Sequence, residues 1–521
     1  MEIPAASTVL TYVIFLVIFA FWWVVVRYLV SIRYAWKIPS YPARIPVLGH
    51  TLMFSGKNTE WAFRTMVRVF RTEQRLTKLV LGPIPVVLVH HPDLLQKVLT
   101  SADMYDKPFV YDMMKLGRGL ITERSALDGW IWKQTRKAVN PAFSQKILGG
   151  FVPIFDSRAK KLVERLQPLA DGVTDINLLE YVATSTLEMI FSTTMGCKLH
   201  ERPGEKEYVY HLERIQNSLG ERLLNVDKYL EPLYRFSSSF KREMKSRVFC
   251  DAFADKIIQE RRAKIERENN NTNEVAETNY DSLEEHLKSN IFLDEILNFR
   301  LEGTRLTDLE VSEHLRTMMA AGNETSALTT CYVCLFLAQN PEIQEKVLSE
   351  MQEVFNSPTI ELNAESLKQL QYTDMVIKET LRLIPVVPFI SRETGCEIEL
   401  DGVRIPPGQI LVMNFYALHR RKDFWGNEPE RFDPERFRPE AIRQRHPYAY
   451  APFSAGFRNC IGSRYAMYSL KTMLTRLLMA FEVRTTIRQE DMKFKFEITM
   501  KLVGPHTVQL VRRNHIGNPN E

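Results

Sequence analysis

The sequence lacks most of what would mark a specialised class. Cysteine is scarce: Cys197, Cys250, Cys331, Cys334, Cys396 and Cys460 are the only six in 521 residues, without regular spacing. That excludes a disulfide-dense scaffold and fits a reducing compartment. Net charge is nearly absent, since 68 Lys and Arg against 63 Asp and Glu leave +5. No basic field therefore points to a nucleic-acid partner. Internal repeats and collagen-like periodicity are also missing. What remains is ordinary for a globular protein with a real core, 45% apolar and 25% charged residues. A length of 521 suggests three or four domains at about 150 residues each, as a prior only.

One local extreme is hidden in these averages. Val9 to Val26 reads VLTYVIFLVIFAFWWVVV, without a charge. The uncharged stretch reaches back to Ile3, about 36 Å of helix at 1.5 Å per residue, enough to span a bilayer. A helix apolar on every face fits a soluble core poorly. Glu2 at the start and bulky residues at the end do not suit a cleaved signal peptide. Arg27, Arg33, Lys37 and Arg44 follow the run, which by the positive-inside rule leaves the body of the protein cytosolic. The expected organisation is a membrane anchor over 1–28, a basic and proline-rich hinge over 29–50, and one catalytic domain over 51–521. Prolines 39, 42 and 46 make Ile38 to His50 a stiff, non-helical connector.

Periodicity in the body predicts a mainly α fold with a small β portion. Lys78 to His90 reads as two strands about a Gly-Pro turn, and Pro92 opens a helix. Long helical patterns run from about 144 to 265, 308 to 337, 341 to 355, 367 to 383 and 462 to 481. Arg261 to Asn290 is polar and predicts a surface loop. Cys396 to Tyr416 is β-rich, with Asp401-Gly402 as a hairpin signal.

The most informative string is PFSAGFRNCIG, Pro452 to Gly462. Cys460 sits on a glycine-flanked loop running into a helix, whose N-terminal N–H groups favour a thiolate. Gly456 and Gly462 would let backbone approach a flat ligand, Phe453 can pack on the loop, and Arg458 suits an anionic group beside it. A buried structural cysteine is the bland alternative. Elsewhere, Glu379 and Arg382 share one helix face and can pair. Gly322 removes a side chain from an apolar helix that also carries the polar Glu324 and Thr325. Trp132 and Arg136 share a face, a spacing an exposed aromatic–cation pair would satisfy equally.

Phe453-x-x-Gly456-x-Arg458-x-Cys460-x-Gly462 resembles the haem-binding signature of the cytochrome P450 monooxygenases. The other motifs fall in the order that family requires. The resemblance spans nearly the whole chain and is nearest the animal clan around the family 4 fatty-acid ω-hydroxylases, particularly its insect microsomal branches. It implies the cytochrome P450 fold behind a single N-terminal transmembrane helix, with haem b bound by Cys460 as axial ligand. It implies Trp132, Arg136, Arg392 and Arg458 as propionate ligands, with Phe453, Gly456, Gly462 and Gly322 around the haem. Glu324 and Thr325 would be the catalytic acid–alcohol pair of the oxygen groove. Glu379, Arg382 and Arg436 would form a structural cluster. The partners implied are NADPH–cytochrome P450 reductase, with cytochrome b5 as a second donor, at the endoplasmic reticulum membrane. The substrate would be a hydrophobic lipid, hormone or xenobiotic.

One departure stands out. Many ω-hydroxylases carry a glutamate that esterifies the haem where this chain has Ala321, so the haem is expected to be held non-covalently. A haem-thiolate isomerase or dehydratase and a non-catalytic membrane haem sensor are the alternative readings. Cys331-x-x-Cys334 lacks a second metal-binding pair, and the Asn270 and Asn323 sequons would lie on the cytosolic side. Residues 109–120, 315–321, 386–390 and 498–500 are expected to line the substrate site, without a charged anchor. Lys137, Arg420, Arg421, Lys422, Arg438, Arg443 and Arg445 are candidates for a reductase-docking face.

Overall fold

The structure is a computed structural model. It describes the chain apart from residues 1–3, 43–44, 46–47, 55–57, 83, 125–128, 200–201, 225, 230, 272–290, 356–360 and 514–521. Its longer helices are α1 (Pro4–Ala35), α2 (Thr59–Phe70), α3 (Pro92–Thr100), α4 (Trp130–Val139), α5 (Val152–Leu166), α6 (Leu178–Thr194), α7 (Glu205–Leu224), α8 (Ser238–Asn271), α9 (Asp308–Gln339), α10 (Pro341–Val354), α11 (Gln371–Leu383) and α12 (Ser463–Ala480). Strands are few and short: β1 (Leu76–Leu81), β2 (Ile84–Val89), β3 (Ile176–Asn177), β4 (Phe389–Glu393), β5 (Ile398–Leu400), β6 (Val403–Ile405), β7 (Ile410–Asn414), β8 (Phe481–Arg484), β9 (Phe494–Glu497), β10 (Thr499–Leu502) and β11 (Thr507–Arg512).

Helix α9 is the spine. A reciprocal capping box between Thr307 and Glu310 starts it. Its second half, Ala327 to Leu337, is buried all round, as expected of a helix apolar on every face. Helices α5, α6, α11 and α12 pack about it through Phe155, Ile190, Val376 and Leu474. The main sheet has the order β1-β2-β7-β4, with β2 and β7 parallel from Val86↔Ile410 to Val89↔Met413. The sequence offered no sign of that pairing, because the two strands lie more than 300 residues apart. The β5–β6 hairpin forms where Asp401-Gly402 predicted it, both residues having positive φ, 51° and 73°.

The polar stretch expected as a loop is helical in its first part, since α8 continues to Asn271. Arg261 binds Asp294 through two hydrogen bonds of 2.6 Å, and Arg262 Nε reaches Asp308 at 2.8 Å. These ion pairs, with Ile265 packed on the core, anchor the start of the stretch. Residues 272–290 of that expectation lie outside the described residues.

Helix α1 runs through the apolar segment to Ala35. Tyr12 to Phe19 and Phe21 to Trp23 are all about half or more exposed, on every face of the helix. Among the described residues no helix is long and apolar enough to cross a membrane, and the described side chains of this apolar stretch begin only at Thr11. Past α1 the connector is tied to the β1 edge: Lys78 N donates to Pro39 O at 2.9 Å, and His50 N to Val80 O at 2.7 Å.

Candidate active site

The Pro452–Gly462 loop is folded by its own backbone. Ser454 and Gly456 take positive φ of 58° and 69°, and Cys460 N donates to Phe453 O at 2.9 Å. A Cβ at Gly456 would stand 1.9 Å from Leu99 O, so this glycine lets the loop press on α3. That corrects its expected place: Gly456 does not line the cavity, whereas Phe453, Arg458, Cys460 and Gly462 do. A side chain at Gly462 would meet only Cys460 Sγ, at 3.9 Å.

Cys460 is exposed, but into a cavity of about 600 Å³ rather than to bulk water. The enclosing protein desolvates the sulfur and raises its pKa; the Gly462 N–H and the Arg136 guanidinium oppose that. A cation on the sulfur would complete the shift to thiolate. Arg136 is held in place by Asn459, the residue before the cysteine, through bonds of 2.9 and 3.0 Å.

Arg458 is buried and donates through Nη2 to Glu123 O at 2.8 Å, while its Nε and Nη1 have no partner. Burial and the Arg392 charge push its pKa down to about 9. Arg392 on β4 and Lys107 are buried too, and burial lowers the pKa of each. Arg392 and Arg458 depress Lys107 further, which places three basic side chains in one buried region beside the cavity. Unpartnered donors and excess positive charge there fit the carboxylates of a haem. Lys107 lines the cavity and was missed from sequence, where nothing distinguishes it from a surface lysine. Trp132 differs from expectation: its indole N–H is spent on Leu120 O at 3.0 Å, and its ring carries the Arg458 guanidinium at 4.6 Å.

Gly322, Glu324 and Thr325 of α9 line the same cavity as Cys460. The space left by Gly322 is filled from outside: a Cβ there would meet Ile190 Cδ1 at 2.3 Å, so the glycine draws α6 onto α9. Thr325 Oγ1 donates to Ala321 O at 2.6 Å. Glu324 Oε1 pairs with Lys501 Nζ at 2.5 Å, and Oε2 accepts from Thr499 Oγ1 at 2.8 Å. Neither partner had a sequence signal. Asn323 is buried and accepts from Thr186, so its sequon is internal.

Glu379 and Arg382 are fully buried on α11, joined by two parallel bonds of 2.6 and 2.7 Å. Arg436 Nε stands 3.7 Å from the same carboxylate, and Arg436 Nη1 and Nη2 hold Trp425 O and Glu428 O. Arg445 stacks on Trp425 at 3.9 Å and donates to Arg436 O. Arg445 therefore leaves the docking face, as do Arg420, stacked on Tyr416 at 3.8 Å, and Arg421, bound to Asp423. Lys137, Lys422, Arg438 and Arg443 are exposed. Cys331 and Cys334 are core residues of α9, and no metal-binding cluster occurs among the described residues.

The cavity lining combines Val110, Met114 and Leu120, the α9 residues 316–322, Val386 to Ser391 except Pro388, and Ile498 and Thr499, much as expected. Leu315 and Met500 are instead in the core. Helix α7 and the β1–β2 hairpin supply further walls, among them Leu212, Leu219, Leu79 and Val86. Besides Lys107 and Arg458, the lining includes charged side chains that are paired: Arg247 with Glu243 at 2.6 Å and Arg316 with Asp251 at 3.0 Å.

A thiol and an acid–alcohol pair lining one apolar cavity, with buried basic side chains at its side, fit a haem-thiolate oxygenase site. The sequence model described as Cytochrome P450 matches residues 39–511. Cytochrome P450 4c21 of Blattella germanica is 32% identical over 481 residues, covering 92% of this chain and 94% of the relative. Human cytochrome P450 4V2 is 31% identical (92% and 90% covered), and cytochrome P450 4d2 of Drosophila melanogaster 31% identical (85% and 88%). The chain belongs to the cytochrome P450 family. It is a monooxygenase of the family 4 clan, with haem b as its cofactor, bound through a cysteine thiolate.

Proposed function

We propose that this enzyme inserts one oxygen atom from O2 into a neutral or amphipathic hydrophobic substrate, a lipid, hormone or xenobiotic, using NADPH electrons delivered by NADPH–cytochrome P450 reductase, with cytochrome b5 as a second donor. The observation that carries this reading is the shared cavity, in which Cys460 Sγ and the Glu324–Thr325 pair line one apolar space. A haem bound there supplies the activation of O2 that no side chain of the chain can perform. Cys460 Sγ would bind its iron, and Arg458, Arg392 and Lys107 would hold its carboxylates, with Arg136 and Trp132 bracing Cys460 and Arg458. Gly462 leaves room for the flat ring. Thr325 Oγ1, whose own proton is given to Ala321 O, would accept and orient a proton donor on the cavity side, and Glu324 would resupply the proton. Val386, Val387 and Phe389 to Ser391 would press the substrate toward that hydroxyl and exclude water. Because Arg247 and Arg316 are already paired with Glu243 and Asp251, and Lys107 and Arg458 would be taken up by the haem carboxylates, the site favours a ligand without net charge.

Ala321 offers no carboxylate for an ester, so the haem is held non-covalently; acid–acetone should extract it completely. The exposed apolar face of α1, with Arg27, Arg33 and Lys37 after it, supports an endoplasmic reticulum anchor over 1–28 and a catalytic domain over 51–521 on the cytosolic side. Alkaline carbonate extraction should leave the full chain in the membrane pellet. The reaction class is tested by NADPH consumption with purified reductase, after a spectral-shift screen of fatty acids, steroid and juvenoid hormones and foreign compounds. Product carrying 18O from labelled O2 is expected. Rearrangement of a peroxide without NADPH would instead mark an isomerase.

A further inference from the structure

The distal acid is held from outside the motif that contains it. Lys501 and Thr499 of β10 grip the two oxygens of Glu324, and Lys501 Nζ has a second carboxylate, Glu497 Oε2, at 3.4 Å. Glu497 Oε1 in turn binds Lys495 Nζ at 2.8 Å. Lys495 is one-third exposed, whereas Lys501, Glu324 and Glu497 are at most 15% exposed. Alternating charges thus run from the cavity wall to the surface along one hairpin. Gly220 of α7 keeps that hairpin close, since a Cβ there would lie 2.8 Å from Glu497 Cα.

Two further titratable groups face this chain. Burial raises the pKa of Glu213 on α7 against the opposing pull of Lys501, and burial with the Lys501 charge pushes His506 down to about 4. Burial alone would lower Lys501, but Glu324 and Glu497 outweigh it and its pKa is raised. The ammonium therefore keeps its charge at neutral pH.

We propose that Lys501 is a positioning residue for the distal acid, holding the Glu324 side chain against the β9–β10 hairpin and passing to Glu497 when Glu324 turns to the cavity with a proton. The inference rests on the reading of Glu324 as the proton source for Thr325. A buried ion pair with one partner each cannot open without stranding a charge. Here the second carboxylate on the same ammonium removes that obstacle. The proton enters from water at the hairpin surface onto a Glu324 carboxylate oxygen and leaves from it toward the Thr325 hydroxyl. Glu324 is then a carboxylate again and re-pairs with Lys501, with no electron transferred in these steps. Ile498, at positive φ of 71°, and Thr499 lie on the cavity wall.

The test compares Lys501→Met, Lys501→Arg and Glu497→Gln with Glu324→Gln in the holoenzyme. Infrared spectra of the resting ferric protein, without turnover, read the carboxyl band that Glu324→Gln abolishes. Lys501→Met should move that band from its wild-type position and Lys501→Arg should restore it. In turnover Lys501→Met should lose product per NADPH several-fold, and Glu497→Gln should enlarge the solvent isotope effect with the resting band unchanged. Lys501→Gln carries the same test should the methionine variant fail to fold. Uncoupling by Glu324→Gln, with wild-type band, coupling and isotope effect in Lys501→Met, would overturn the proposal while sparing the role of Glu324. Wild-type coupling in Glu324→Gln would overturn that role, and the proposal with it.

Discussion

Arg382 clasps Glu379 through two parallel hydrogen bonds of 2.6 and 2.7 Å, and neither side chain meets solvent. The remaining donors of Arg382 reach the carbonyls of His419, Pro429 and Arg431, while Asp433 N donates to Glu379. One ion pair on α11 therefore pins the irregular segment from His419 to Asp433, ahead of the cysteine loop. Arg382→Leu should cost about 3–5 kcal/mol, because it strands a buried carboxylate. Urea unfolding monitored by tryptophan fluorescence would measure this, and haem retention should fall with it.

Gly456→Ala should destabilise the cysteine loop without touching the cavity. The φ of 69° costs a residue with a side chain about 1–2 kcal/mol, and the new Cβ meets Leu99 O. Gly462→Ala meets only the cysteine sulfur and should leave the unfolding midpoint nearly unchanged while weakening haem binding. The two variants separate a packing glycine from one that borders the cofactor space.

Arg458→Leu should lower haem affinity more than fold stability. Its two unpartnered donors leave little hydrogen bonding to lose in the haem-free protein, and its removal relieves repulsion with Arg392 and Lys107. Haem transfer to apomyoglobin should be faster in the variant, and unfolding of the haem-free protein unchanged or shifted to higher urea.

Sequence and structure diverge in an orderly way. Local rules were sufficient where a motif is closed within one turn or helix: the Asp401-Gly402 hairpin, the Glu379–Arg382 pair and the loop before Cys460. They failed where the chain converges from afar. Nothing near Lys107, Arg445 or Lys501 in the sequence tells that each is enclosed by residues tens to hundreds of positions away. Arg420, Arg421 and Arg445 read as surface cations because composition does not show the Tyr416 and Trp425 rings, or the Asp423 carboxylate, that receive them. The extension of α8 to Asn271 was invisible because ion pairs to Asp294 and Asp308 and the packing of Ile265, not a continuous apolar stripe, anchor its start.

Acid should unfold the protein through its buried histidines. Burial pushes His90 and His419 down to about 3 and His314 and His506 to about 4. An unfolded histidine takes its proton near pH 6.5, so the unfolded chain binds more protons below that value. The stability these four contribute is complete above about pH 6.5 and is lost as pH falls toward 4. Urea midpoints should decline between pH 6.5 and 4.5, and His314→Gln should flatten the slope.

The most direct measurement concerns Cys460. Wild-type protein and Cys460→Ser, matched for haem content by pyridine haemochrome, are reduced and exposed to carbon monoxide. Wild type should give the long-wavelength difference band from which the family takes its name, and the serine variant should not, since that band requires a thiolate on the iron. The same band at full strength in Cys460→Ser would contradict the assignment of Cys460 as the ligand.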